Sequence, residues 1–202
     1  QHLIKLKQLW QSEDVDFVRG DVTDLLSASK NGLMRVRDIV SGLKTFSHSD
    51  TKVFEPINLN DCLEDSIQLV WNELKYNCEL EKDFCTSPIV NGNSGQLQQV
   101  FVNMLINAKQ AMEEDGVITV TTKRESDKIK LFISDTGKGI SKQDLDKLFT
   151  PFFTTKPVGV GTGLGLSISY GILKDHNAII NVDSKLGEGT KFILTFKACE
   201  ET

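Results

Sequence analysis

Between residues 96 and 112, apolar side chains recur at Leu97, Val100, Phe101, Met104, Leu105, Ala108, Ala111 and Met112, the three-then-four spacing that lays one stripe along a helix. Asn93 or Ser94 can cap its first turn. Asn103 and Asn107 stand four residues apart, so they stack on one face beside the stripe, with Gln110 one turn beyond. The period changes at Ile129, Leu131 and Ile133, which alternate with polar residues and predict a half-buried strand running into Asp135. Elsewhere the pattern predicts a strand over 53–59 and a helix over 60–74, capped by Asn60, with Leu63, Ile67, Leu69 and Val70 inward. Short strands over 78–84 and 89–90 follow, then a hairpin of 117–123 with 128–134, a helix over 164–175, and closing strands over 178–182 and 191–196. Helices on one face of a mixed, largely antiparallel sheet make an α+β fold, a two-layer α/β sandwich.

Upstream of about residue 50 the period is helical throughout. Val15, Val18, Val22 and Leu25, then Leu33, Val36, Val40 and Leu43, form the seam of a coiled coil or helical bundle. Gly20, Gly32 and Gly42 each weaken an isolated helix by up to ~1 kcal/mol relative to Ala, so packing against a partner must hold this segment. The expected division is therefore a helical segment over 1–50 and a globular domain over 51–202.

Charge and composition narrow the function classes. The 202 residues carry a formal net charge of −5 and no basic field that would attract nucleic acid. Cys62, Cys78, Cys85 and Cys199 lack metal-ligand spacing and are expected as reduced thiols in a cytoplasmic setting. No apolar run approaches the ~20 residues of a membrane span, so no membrane contact is expected of this chain, and any anchor is expected in a longer parent.

Candidate chemistry sits in two glycine-rich turns. Gly161-Thr162-Gly163-Leu164-Gly165-Leu166 precedes a predicted helix, and backbone this open can aim N–H groups at anionic oxygens. Bends and close packing use such glycines too. The lysine-ended phosphate loop is excluded because Leu164 and Leu166 occupy the positions it requires, and the dinucleotide motif because a loop rather than a strand leads in. The other turn, Asp135-Thr136-Gly137-Lys138-Gly139-Ile140, ends the alternating strand. A buried Asp135 carboxylate there can accept the exocyclic amine of adenine, which guanine replaces by a carbonyl; a plain strand-ending turn is the other account. The amide oxygens of Asn103 and Asn107 are hard neutral donors suited to Mg²⁺, or ordinary boundary amides facing solvent.

In this order the motifs resemble the catalytic and ATP-binding domain of two-component sensor histidine kinases, over about residues 51–202. The asparagine helix is similar to the family's N box, residues 135–140 to its first glycine box, Leu148-Phe149-Thr150-Pro151-Phe152-Phe153-Thr154-Thr155-Lys156 to its phenylalanine box, and residues 161–166 to its second glycine box. Gly187-Glu188-Gly189-Thr190 fits the turn of its closing hairpin. The resemblance implies that Asn103 and Asn107 hold Mg²⁺, that Asp135 binds adenine, and that Gly163, Leu164, Gly165 and Leu166 offer N–H groups to the phosphates of ATP. It completes the cofactor-binding set with Gln110, Gly137, Gly139, Thr162 and Thr190, and brings Lys156 to the γ-phosphate from a mobile lid. Asn103 and Lys156 are the expected catalytic residues.

Related gyrase, mismatch-repair and chaperone ATPases carry a glutamate four residues before the metal asparagine, where this chain has Asn103. An amide has no useful basicity near neutral pH, so the site is expected to deliver phosphate to another nucleophile rather than to water. The segment over residues 35–47 also resembles the second helix of the family's dimerisation hairpin, with the end of the first at residues 3–10. That implies a homodimer through the N-terminal helices, phosphorylation of a histidine there, and onward transfer to the receiver domain of a response regulator. That phosphoacceptor stands early in the first hairpin helix and is followed by an acidic residue, a context that none of His2, His48 and His176 has, so residues 1–50 are expected to be a partial hairpin without it. An ATP-binding regulatory or dimerisation module that transfers nothing is the competing reading.

Overall fold

A computed structural model of the chain describes residues 17–30, 32–33, 53–76, 78–112, 115–157 and 161–199. Residues 17–30 are helical, with Phe17, Val18, Val22, Leu25 and Leu26 exposed along them. Val15, Val36, Val40 and Leu43, His2, His48, and the hairpin segments 3–10 and 35–47 lie outside the described residues.

The globular part begins with strand β1 (Glu55–Asn58) and helix α1 (Leu59–Leu74). Asn58 rather than Asn60 is the cap: its extended backbone (φ −82°, ψ 117°) lets its side chain accept from the Asn60 N–H, so the strand is shorter and the helix starts one residue earlier than the pattern suggested. Leu63, Ile67, Val70 and Leu74 face inward at spacings of four, three and four. Leu69, expected inward, is 70% exposed, because a side chain one residue from Val70 is turned by about 100° from that stripe.

Strands β2 (Cys78–Asp83) and β3 (Ile89–Gly92) lead to α2 (Ser94–Ala111), whose cap is Asn93, accepting from the Gln96 N–H at 3.0 Å. Then come β4 (Gly116–Glu125), β5 (Lys128–Asp135), the short α3 (Lys142–Leu145), α4 (Gly165–Asp175), β6 (Ile179–Lys185) and β7 (Gly189–Lys197). The main sheet has the order β2-β4-β5-β7-β6, antiparallel except for the β2–β4 pair, and β1 with β3 makes a separate antiparallel ribbon. The parallel pair requires a crossover, and α2 lies within it.

One face of the sheet packs on α1, α2 and α4, the expected two layers. Leu97, Val100, Phe101, Met104, Leu105 and Ala108 of α2 are buried against Ile129, Leu131 and Ile133 of β5 and Phe192, Leu194 and Phe196 of β7. Burial of such side chains at roughly 1.5–3 kcal/mol each is the main favourable contribution to this layer packing. Cys62 is among the buried residues; desolvation pushes its thiol up to about 11, against a smaller opposing contact with Ser94, so it stays protonated at neutral pH.

Candidate functional site

Strand alternation decides where Asp135 points. Residues 129, 131, 133 and 135 share one face of β5, so the carboxylate continues the buried row and turns toward the helix layer at the sheet's end. It is 8% exposed, and its Oδ1 accepts the Gly137 N–H at 2.9 Å. Burial pushes its carboxyl above the usual range, while hydrogen bonds from the Gly137 and Thr190 backbone pull it partly back. Thr190 is its register partner on β7.

The turn after Asp135 is tied to α2 and to the β6–β7 hairpin. Lys138 N–H donates to Ala111 O at the end of α2 (2.9 Å), Gly187 N–H donates to Lys138 O (2.7 Å), and Ile140 N–H donates to Ser184 Oγ (2.9 Å). Gly139 has φ +68°, and a Cβ there would strike the Lys185 carbonyl, so only glycine lets the turn lie this close to the β6–β7 hairpin.

On α2 the two asparagines hold each other. Asn103 Nδ2 donates to the buried Ser169 Oγ on α4 (3.0 Å), and Asn107 Nδ2 donates to Asn103 Oδ1 (3.4 Å). Each amide thus gives its N–H backward and keeps its oxygen forward. Asn107 Oδ1 accepts from Lys156 Nζ (2.9 Å), and Gln110 Oε1 accepts from the same ammonium. Asn107 Oδ1 is therefore a cation-facing oxygen, which fits the hard donor set that Mg²⁺ takes alongside phosphate and water. Burial, with a smaller contribution from Lys138, holds the Lys156 ammonium below its usual range.

Helix α4 closes the site with an open end. Asn58, Asn93 and Ser141 cap α1, α2 and α3 with side-chain oxygens, whereas no side chain caps α4, whose cap position is Leu164. The first-turn N–H groups of an α-helix with no such cap form an anion site of partial positive charge. Gly165 stands against Asn103: a Cβ there would collide with the Asn103 amide.

These pieces surround one cavity of about 560 Å³. Asn103, Asn107, Gln110, Asp135, Gly139, Lys156, Thr162, Gly163, Gly165, Leu166 and Thr190 all line it. Gly137 and Leu164 stand behind its wall: Gly137 donates to Asp135, and Leu164 is a buried core residue that starts α4. Lys138, Ile140 and Phe192 are among the lining residues to which the pattern gave no role. Lys138 had a signal, its place between the two glycines of the turn, and it adds a second ammonium. Ile140 and Phe192 supply apolar walls, and Phe192 could have been read from the alternation of β7. Ser169 lies outside the lining and orients Asn103, a tertiary contact that no local pattern announces.

The segment between the glycine turns carries α3, and Ser141 Oγ caps it. Leu148 is buried and the Phe149 ring lies 5.1 Å from that of Tyr170, while Phe152 is exposed with φ +67° and donates its N–H to Gly163 O (2.9 Å).

Residues 92–200 match the model of the histidine kinase-, DNA gyrase B-, and HSP90-like ATPase family, and the chain belongs to that family. Sensor kinase CckA of Brucella abortus is 38% identical over 186 residues, covering 84% of this chain and 20% of its own length. Sensor histidine kinase ZraS of Escherichia coli K12 is 33% identical over 178 residues, covering 87% of this chain and 38% of its own. The chain thus spans between a fifth and two fifths of these relatives. The crystal structure of histidine kinase ThkA in complex with response regulator protein TrrA is 26% identical with a TM-score of 0.71, covering 84% of this chain and 49% of ThkA.

Proposed function

We propose that this chain is the ATP-binding kinase domain of a sensor histidine kinase, which transfers the γ-phosphate of ATP to a histidine on a dimerisation domain for onward transfer to an aspartate of a response regulator. The observation that carries this is the polarity of the cavity: a buried carboxylate at one end, and two oriented amides with an uncapped helix N-terminus at the other. Asp135 accepts the adenine amine, and Ile140 and Phe192 flank the base. The N–H groups at the start of α4 and the Lys156 ammonium bind the phosphates. Asn103 and Asn107 would hold Mg²⁺ through their amide oxygens, and the bound ion supplies neutralisation of phosphate charge. Asn103 cannot take a proton from water, so positioning and charge neutralisation serve transfer to an imidazole.

The exposed apolar row over 17–30 supports pairing of two chains through their N-terminal helices, and the ThkA–TrrA complex supports a response regulator as the downstream partner. The test is to incubate the chain with γ-labelled ATP and a separately supplied dimerisation hairpin bearing its histidine. Acid-labile, alkali-stable label on the hairpin is expected. Nucleotide binding without label on the hairpin would refute transfer and leave a purely regulatory module.

A further inference from the structure

Lys156 holds the oxygen that a cation ligand needs. Its ammonium bonds Asn107 Oδ1 at 2.9 Å and also Gln110 Oε1, two acceptors one helical turn apart on α2. The contact is built on both sides. Gly161 leaves room for the lysine stem, since a Cβ there would lie 3.1 Å from Lys156 Cδ and 2.7 Å from Thr154 Oγ1. Thr154 Oγ1 in turn accepts the Lys156 N–H at 3.1 Å. On the other side, the chain of bonds from Ser169 Oγ through Asn103 to Asn107 fixes which atom of the Asn107 amide faces the lysine. An ammonium and a divalent cation on one amide oxygen repel each other at close range in a half-buried setting, so the two occupants exclude each other.

We propose that Lys156 makes the site distinguish ATP from ADP: it competes with the divalent cation for Asn107 Oδ1, and a γ-phosphate is the ligand group that draws it away. This rests on the nucleotide reading of the cavity given above. With a triphosphate, Lys156 exchanges two neutral acceptors for an anionic one, and charge-assisted bonds are about twice as strong. With a diphosphate, Lys156 must surrender Asn107 Oδ1 to the cation without γ-phosphate oxygens in return. The lysine that receives the γ-phosphate would thereby hasten departure of the product.

Calorimetric titration of the chain and of Lys156→Met with Mg²⁺-ATP, Mg²⁺-ADP, and each nucleotide in chelator tests this. The substitution is expected to weaken Mg²⁺-ATP by about tenfold and to tighten Mg²⁺-ADP by about tenfold, on the scale of one charge-assisted hydrogen bond. In chelator the change for ADP should shrink to within about twofold, because the competition needs a cation. Lys156→Gln, which keeps polarity and loses charge, should reproduce the tightening, and unchanged thermal unfolding of either variant certifies its fold. If Mg²⁺-ADP binding stays the same or weakens while Mg²⁺-ATP weakens, the competition is overturned and the nucleotide site survives. If the unmodified chain binds neither nucleotide, the nucleotide reading falls and this inference with it.

Discussion

Two glycines of α4 provide a matched pair of substitutions with opposite expected signs. At Gly171 a Cβ would meet nothing within 4 Å, so Gly171→Ala gains only the helix-forming advantage of alanine, about 0.5–1 kcal/mol. For a chain of this size that raises the melting temperature by about 1–4 °C. At Gly165 the same methyl would collide with Asn103 Oδ1 and lie 2.9 Å from its Cγ and 3.0 Å from its Nδ2. The amide must swing away, breaking its 3.0 Å bond to Ser169 Oγ and leaving a hydroxyl on a residue only 2% exposed without its partner. An unsatisfied buried group costs about 1–3 kcal/mol, more than alanine returns at the first residue of the helix. Gly165→Ala should therefore lower the melting temperature by about 2–4 °C, a net loss of about 1 kcal/mol. Differential scanning calorimetry of both variants measures the pair, and ATP titration should find binding retained in Gly171→Ala and lost in Gly165→Ala. If Gly165→Ala stabilises as much as Gly171→Ala and still binds ATP, Gly165 is not the spacer that positions Asn103.

Asn107→Ala should remove the Mg²⁺ dependence of ATP binding while changing stability by no more than about ±0.5 kcal/mol, and equal responses to the ion in both proteins would exclude Asn107 as a ligand. Asp135→Asn should weaken ATP far more than GTP in competition titrations, and equal losses would show that Asp135 does not read the base. Burial holds the folded-state carboxyl of Asp135 above its unfolded value, so its contribution to stability is present below the unfolded value and lost as pH rises through the folded one. The melting temperature of Asp135→Asn relative to the unmodified chain should accordingly climb as pH rises above the ordinary carboxylate value of about 4, and a flat or falling difference would contradict the stated burial.

Where a single element decides the outcome, the pattern was enough. The α2 stripe named the core residues of that helix, and alternation in β5 placed Asp135 at the end of a buried row. Cap choice was less legible because Asn58 and Asn60 are two residues apart and of one type, and only the backbone angles separate them. Asn60 has other work: its Nδ2 donates to Cys85 O and its Oδ1 accepts from Thr122 Oγ1. Leu69 misled because an apolar side chain on a helix gives no sign of which neighbour is missing. The short α3 escaped notice in a segment whose glycines and phenylalanines read as loop. Of the site, the types and spacing of Asn103, Asn107 and Asp135 were visible, whereas the bonds to Ser169 and from Lys156 join residues 66 and 49 positions apart. No local period carries such pairings.

The strand order has a consequence for biosynthesis. β7 inserts between β5 and β6, so β5 has β4 beside it and an open edge on its other side until the segment near residue 189 has been made. At ~5–20 residues per second, synthesis from residue 135 to residue 189 leaves that edge uncovered for roughly 3–10 s. An uncovered β5 edge, with Ile129, Leu131 and Ile133 along it, is a template for pairing with a neighbouring nascent chain. The same delay keeps Thr190 from Asp135, so an emerging ribosome-bound domain lacks one wall of its cavity until its sheet is complete.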